Sequence, residues 1–155
     1  LIEHGYDVGY QIVKGWWKDT GTPEDILEAN RLVLDELKPE IKGKIEANSS
    51  IQGRVSIGEN TLIKQGALIR GPAIIGENST IEGKVYIGPY TSIGNNVTIK
   101  QGEIESSIIM DNCLIDVNEK ITDSLIGPHS TITSSENTKP KGRRFIIGER
   151  SYLTI

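Results

Sequence analysis

Few side chains in this sequence have the type and spacing to do chemistry. The densest group is the loop Gly15-Trp16-Trp17-Lys18-Asp19-Thr20-Gly21, where a carboxylate, an ammonium and two indoles stand between glycines. Carboxylates are preferred protein ligands for Mg²⁺, an ion that shields phosphate oxygens and holds two anions together. Asp19 therefore has two readings, as a metal ligand or as a cap on the turn before the next helix. The tryptophans have packing as their alternative to substrate contact. Within the later part of the chain His129, in Ile126-Gly-Pro-His-Ser-Thr, is the candidate general base. Its alternative is an exposed turn histidine. Cys113 reads as a small packed residue rather than a nucleophile.

Composition narrows the class. The chain has 155 residues, 36% hydrophobic and only 5% aromatic, with a formal net charge of −4. A core built on large aromatics is excluded, although aliphatics are plentiful. Basic residues are scattered apart from Lys139, Lys141, Arg143 and Arg144, which read as a solvated loop. Nucleic-acid binding needs a basic stripe, so no nucleic-acid partner is expected. One cysteine cannot form an intramolecular disulfide, and a reducing, cytoplasmic setting fits. No apolar run approaches the roughly 18 residues of a membrane span, so no membrane partner is expected. Leu1 in first place, with Met110 as the sole methionine, reads as a fragment or a processed product.

Two unlike parts must position these residues. In 1–38 the alternation of Val8, Tyr10 and Ile12 predicts a short strand, followed by the Gly15–Gly21 loop. A helix then starts, with Thr22 as N-cap, Pro23 at the first position, and Glu24 and Asp25 against the positive end of the dipole. Ile26, Leu27, Ala29, Val33, Leu34 and Leu37 supply its apolar stripe, and Pro39 marks its end.

From Ile41 the period becomes six. Ile45, Ile51, Ile57, Ile63, Ile69, Ile75, Ile81, Ile87, Ile93 and Ile99 are evenly spaced. Four positions after each of the first nine stands a small or β-branched residue, from Ser49 and Val55 to Thr91 and Val97. Neither a helix nor an alternating strand has this period, whereas a parallel β-helix of hexapeptide repeats does. Three hexads make one triangular coil, which predicts three isoleucine columns: 45/63/81/99, 51/69/87 and 57/75/93. Each buried isoleucine contributes roughly 1.5–3 kcal/mol, in place of an aromatic core. Gly58, Gly76, Gly88 and Gly94 are expected to relieve the turns. The repeat loses register near Glu105, resumes at Ile109, Ile115 and Ile121, and slips to Ile126 and Ile132. This places a β-helix at 41–133 and a loop with a capping segment at 134–155, with Ile147 and Leu153 six apart in it. A solenoid needs its ends covered, and the Pro23 helix is expected over one of them.

The six-residue pattern resembles the hexapeptide repeat of left-handed β-helix proteins, and the left hand is implied by that resemblance alone. The first part, GWWKDTGTPEDILEANRLVLDEL, resembles the end of the catalytic domain of glucose-1-phosphate thymidylyltransferases, in the long form with a C-terminal β-helix. The resemblance implies a mainly β fold, a left-handed β-helix behind a remnant of an α/β nucleotidyltransferase domain. It implies that Asp19 binds Mg²⁺ together with an upstream aspartate absent from this sequence. It also places Trp17, Lys18 and Gly21 in a substrate loop. In such an enzyme a sugar-1-phosphate oxygen attacks the α-phosphorus of a nucleoside triphosphate and pyrophosphate leaves. The glycine-rich nucleotide loop of that family is missing here, so this chain alone is expected to be inactive and to bind no Mg²⁺ itself.

Two other classes use the same repeat. An acetyltransferase acting on a sugar phosphate with acetyl-coenzyme A would use His129 as base, but long acceptor loops are missing between residues 45 and 102. A γ-class carbonic anhydrase needs about three histidines, and His4 and His129 are the only two. The flat faces of a triangular prism predict a homo-oligomer, a trimer by resemblance, with Leu62, Leu68, Ile74, Tyr86, Tyr90 and Ile108 as outward contacts.

Overall fold

The computed structural model describes Asp19, residues 21–134 and the backbone of Arg143–Ile146. One helix, Pro23–Asp35, precedes fourteen short strands running from Glu40–Ile41 to Thr131–Ser134. All of these strands pair in parallel, each with the strand one coil away, which makes a β-solenoid. The predicted strand near Val8, the loop at 135–142 and the pair Ile147 and Leu153 lie outside the described residues.

The three columns form as the spacing predicts, and they continue beyond it. Ile45, Ile63, Ile81, Ile99, Ile115 and Ile132 pair in succession along one face. The second face carries Ile51, Ile69, Ile87, Ile104 and Ile121. The third carries Ile41, Ile57, Ile75, Ile93, Ile109 and Ile126. Ile104 corrects the reading at Glu105, because it fills the inward site one residue early. The corner after it holds only Glu105 and Ser106 before buried Ser107, and Ser106 adopts φ 50°. The shortening that turns Ile104 inward lies before it, where the register shifts between Ile99 and Gln101, and the corner after it is one residue short as well, so the coil shortens and the core stays continuous. The corner at Thr122 and Asp123, with φ 47° at Asp123, repeats the device.

Corner chemistry also differs from expectation. Gly58, Gly76, Gly88 and Gly94 have no positive φ; the left-handed corner sites include Asn48, Asn60, Asn78, Tyr90, Asn96, Asn112 and His129, beside Ser106 and Asp123. Asparagine tolerates that conformation better than most side chains. The glycines are needed for space instead. A Cβ on Gly58 would lie 2.7 Å from the carbonyl carbon of Gly76, and one on Gly76 would lie 2.7 Å from that of Gly94. Small residues behind these corners satisfy buried backbone groups. The Thr61 hydroxyl donates to Gly76 O at 2.6 Å and accepts from Ser79 N–H at 3.0 Å. Ser79 repeats the pattern one coil later, toward Gly94 O and Val97 N–H.

The helix does not cap an end. Its start is as read, a capping box in which Thr22 and Asp25 satisfy each other's backbone N–H. Its stripe is narrower than predicted: Leu34 is buried, Val33 is 54% exposed, and Ile26, Leu27, Ala29 and Leu37 are half-buried. The helix lies along the flank of the prism, held at one corner edge made by Arg54, Pro72, Tyr90, Ser106 and Asp123. Asp35 meets Arg54 at 3.6 Å and accepts from Tyr90 OH at 3.0 Å. Arg31 pairs with Asp123 at 3.0 Å and lies 5.8 Å from the centre of the Tyr90 ring. Asn30 donates to Tyr90 O at 3.1 Å and accepts from the Ser92 hydroxyl. Polar partners on several coils thus fix the helix sideways, and among the described residues Ile41 and Ile45 of the first coil stay exposed.

Candidate functional site

Asp19 stands just before the helix, exposed, and a Cβ on Gly21 would lie 3.8 Å from its Oδ1. Gly21 is exposed as well, and Trp17 and Lys18 lie outside the described residues. Among the described residues no group of three or more His, Cys, Asp or Glu could hold a metal ion. Mg²⁺ takes several oxygen ligands in a near-octahedral shell. Asp19 offers one carboxylate, so the described part of the chain does not fit a Mg²⁺ site by itself. What the structure does give this loop is a fixed neighbour, because the helix beginning at Pro23 is anchored to the solenoid by Asn30, Arg31 and Asp35.

His129 occupies a corner. Its φ of 60° matches Asn60, Asn78, Asn96 and Asn112, and its N–H donates to Asp111 O at 3.0 Å, as those of Asn78, Asn96 and Asn112 donate to the coil before them. The imidazole is exposed. Beside it runs an open groove of about 400 Å³, lined by Ser92, Gly94, Ile108, Met110, Asp111 and Pro128 but not by His129. The Asp111 carboxylate is engaged, accepting from Asn95 N–H at 2.8 Å. No carboxylate–imidazole pair forms at this corner. Cys113 is 2% exposed, and its thiol donates to Gly127 O at 3.2 Å. Burial pushes this thiol up from its ordinary pKa, which disfavours the nucleophilic thiolate.

The residues that position the loop escaped the sequence reading. Asn30, Arg31 and Asp35 form one polar edge of the helix, and Tyr90 meets all three. Tyr90, one of the outward residues expected to supply subunit contacts, meets the helix within the chain. The hydrogen bond to Asp35 holds the Tyr90 phenol above its ordinary pKa. The only sequence signal was its place: an aromatic in a corner position that asparagine fills in neighbouring corners. The other outward residues, Leu62, Leu68, Ile74, Tyr86 and Ile108, are half-buried on the outer ladders of the sheets.

Among the described residues no helix is long and apolar enough to cross a membrane. Residues 69–151 match the family model of the GMPPB C-terminal domain, more than half of the chain. Over all 155 residues the sequence is 41% identical to the low-salt glycan biosynthesis nucleotidyltransferase Agl11 of Haloferax volcanii. It is 39% identical over the same length to a glucose-1-phosphate thymidylyltransferase of Streptomyces antibioticus. Over 129 residues, 79% of the chain, it is 40% identical to the bifunctional protein GlmU of Methanocaldococcus jannaschii. The chain spans 43% of the length of the first two relatives and 32% of the third.

Proposed function

The chain belongs to the GMPPB C-terminal domain family, and from that premise we propose that it is the solenoid part of a sugar-1-phosphate nucleotidyltransferase. In the intact enzyme glucose-1-phosphate and dTTP give dTDP-glucose and pyrophosphate. One observation carries this reading. Similarity to the two nucleotidyltransferases runs through all 155 residues, including the Trp17-Lys18-Asp19-Thr20-Gly21 loop, and does not stop at the repeat. A hexapeptide solenoid alone would be compatible with many activities.

The division of labour follows. The isoleucine columns make a rigid prism, the helix fastens to its flank, and the loop ahead of the helix is thereby held against whatever completes the site. Asp19 supplies one Mg²⁺ ligand, and Trp17, Lys18 and Gly21 line the substrate loop. The remaining ligands and the nucleotide-binding residues belong to a preceding domain. The half-buried outer ladders serve assembly into a homo-oligomer, a trimer in this proposal, and the reaction runs in the cytoplasm. The 155-residue chain has no transferase activity of its own.

Turnover measurements test the proposal. A longer protein that includes the preceding domain is expected to form dTDP-glucose in the presence of Mg²⁺. Asp19→Asn should lower its kcat by about 100-fold, since a metal contact supplies several kcal/mol of transition-state stabilisation. The 155-residue chain should form none. Product formation by the short chain, or full activity of the D19N enzyme, overturns the reading.

A further inference from the structure

The helix has its polar grip toward one end and the candidate loop at the other. Asn30 donates to Tyr90 O at 3.1 Å, and Asp35 accepts from the Tyr90 hydroxyl at 3.0 Å. Arg31 reaches Asp123 at 3.0 Å, and Leu34 is buried between these polar contacts. At the helix start the Thr22 N–H donates to Asp25 Oδ2 and the Asp25 N–H to Thr22 Oγ1, each at 3.2 Å. The N-cap is thereby locked to the first turn. Asp19 stands just ahead of that cap, its Oδ1 3.8 Å from the place of a Cβ on Gly21. Where the helix start goes, the loop follows.

The order of partners along the corner edge fixes the direction of the helix. Asp35 meets Arg54 and Tyr90, in the first and third corners, whereas Arg31, one turn earlier, reaches Asp123 in the fifth. The helix therefore runs against the order of the coils, and its start projects beyond the grip toward the late ones. From Pro23 to Arg31 is about 12 Å of helix. Held in this way the helix is a lever, and a swing of about 5° at Arg31 carries its start by about 1 Å. A misplacement of about 1 Å, caused far from the chemistry, can cost about 100-fold in rate.

Resting on the nucleotidyltransferase reading, we propose that Arg31, Asp35 and Tyr90 are positioning residues for the transfer. They act through the helix rather than on substrate, by aiming the Asp19 loop. Their contacts are exposed and polar while the columns are apolar and buried, so loosening them redirects the loop and spares the coils. In-line displacement is sensitive to aim, because the attacking oxygen, the α-phosphorus and the leaving pyrophosphate must align. Binding tolerates a small misalignment better than attack does, so the loss falls on kcat rather than on KM.

Turnover by a longer protein that includes the preceding domain tests this. Tyr90→Phe deletes the bond to Asp35 and should lower kcat by about threefold, with KM for dTTP and glucose-1-phosphate within about twofold. Arg31→Glu replaces the attraction to Asp123 by repulsion and should lower kcat by about tenfold. Arg31→Lys keeps the charge and should retain most of the activity. Lys64→Gln is the control. It breaks an ion pair of the same kind, to Glu82 at 2.8 Å beside the Ile63 and Ile81 column, and should leave kcat unchanged. The urea midpoint of the coils should stay in place in all four variants. Wild-type kcat in both Y90F and R31E, with Asp19→Asn impaired, overturns the positioning role and leaves the nucleotidyltransferase reading standing. A raised KM at unchanged kcat, or an equal loss of kcat in K64Q, overturns it as well. Full activity of Asp19→Asn removes the reading on which the proposal rests.

Discussion

The solenoid and the helix on its flank are held by opposite kinds of force. Inside the coils the isoleucine columns make apolar contact with their own kind, and buried hydroxyls such as those of Thr61 and Ser79 satisfy backbone atoms at the corners. The helix buries one large side chain, Leu34, and is otherwise tied by exposed polar groups: Asn30, Arg31 and Asp35 against Arg54, Tyr90, Ser92 and Asp123. Exposed ion pairs contribute about 1 kcal/mol or less each, whereas a buried isoleucine contributes roughly 1.5–3 kcal/mol. The prism is therefore the rigid body, and the helix is an attachment whose strength rests on Leu34 and a set of weak bonds. That asymmetry leaves the fold to the prism and the helix free to come loose without it.

Substitutions can break this contrast. The largest effect is expected for Ile81→Ala, at the centre of a column, with a loss of about 2–5 kcal/mol read as a lower urea midpoint of the whole chain. Leu34→Ala should cost about 2–3 kcal/mol, but locally. Amide exchange would then speed up across Pro23–Asp35 and stay slow in the coils. Equal acceleration everywhere would show that helix and prism are one cooperative unit. Gly94→Ala places a Cβ 2.3 Å from Asp111 Oδ1 and 2.8 Å from Asp111 N, and should cost about 1–3 kcal/mol. Gly127→Ala, with nothing within 4 Å, should leave the melting curve unchanged.

Smaller effects sharpen the comparison. Thr91 is fully buried and its hydroxyl has no partner, although Val55 and Ala73 precede it in the same register. Thr91→Val removes an unsatisfied group at almost constant shape and should raise stability by about 1 kcal/mol. Tyr90 bears on the helix alone. Its phenol is held above its ordinary pKa of 10.0 by the hydrogen bond to Asp35. The protonated phenol makes that bond, so the contribution is complete below pH 10 and is lost as pH rises through the raised value. Exchange of the helix amides should accelerate selectively in that alkaline range, and Tyr90→Phe should abolish the pH dependence.

How much of this could be read in advance followed the range of the forces. The columns were legible because each isoleucine repeats a local rule, and the register Ile45, Ile63, Ile81, Ile99 followed from counting alone. Ile104 was not, because the residue lost from its coil falls between Ile99 and Gln101, ahead of a glycine at φ 120°, and Lys100 and Gln101 give little sign of it. The corner glycines were identified correctly but for the wrong reason, since the crowding at Gly58 comes from Gly76, eighteen residues away. The helix was read well at its start, where Thr22 and Asp25 act locally. Its docking was misplaced, because the choice between flank and end rests on Tyr90 and Asp123, far along the chain. The Asp19 loop was legible as a motif, and the described residues form no metal-holding group around it.

The lateral helix has a consequence for how the chain can change length. Arg54 and Asp123 sit four coils apart, about 19 Å at normal strand spacing, and one helix grips both. It acts as a ruler laid against the stack. An insertion or deletion of one eighteen-residue coil between Val55 and Thr122 would carry Asp123 out of reach of Arg31 while sparing every isoleucine column. The same change made after Ser124 would leave the ruler's marks in place. Repeat number should therefore vary freely only beyond the last mark.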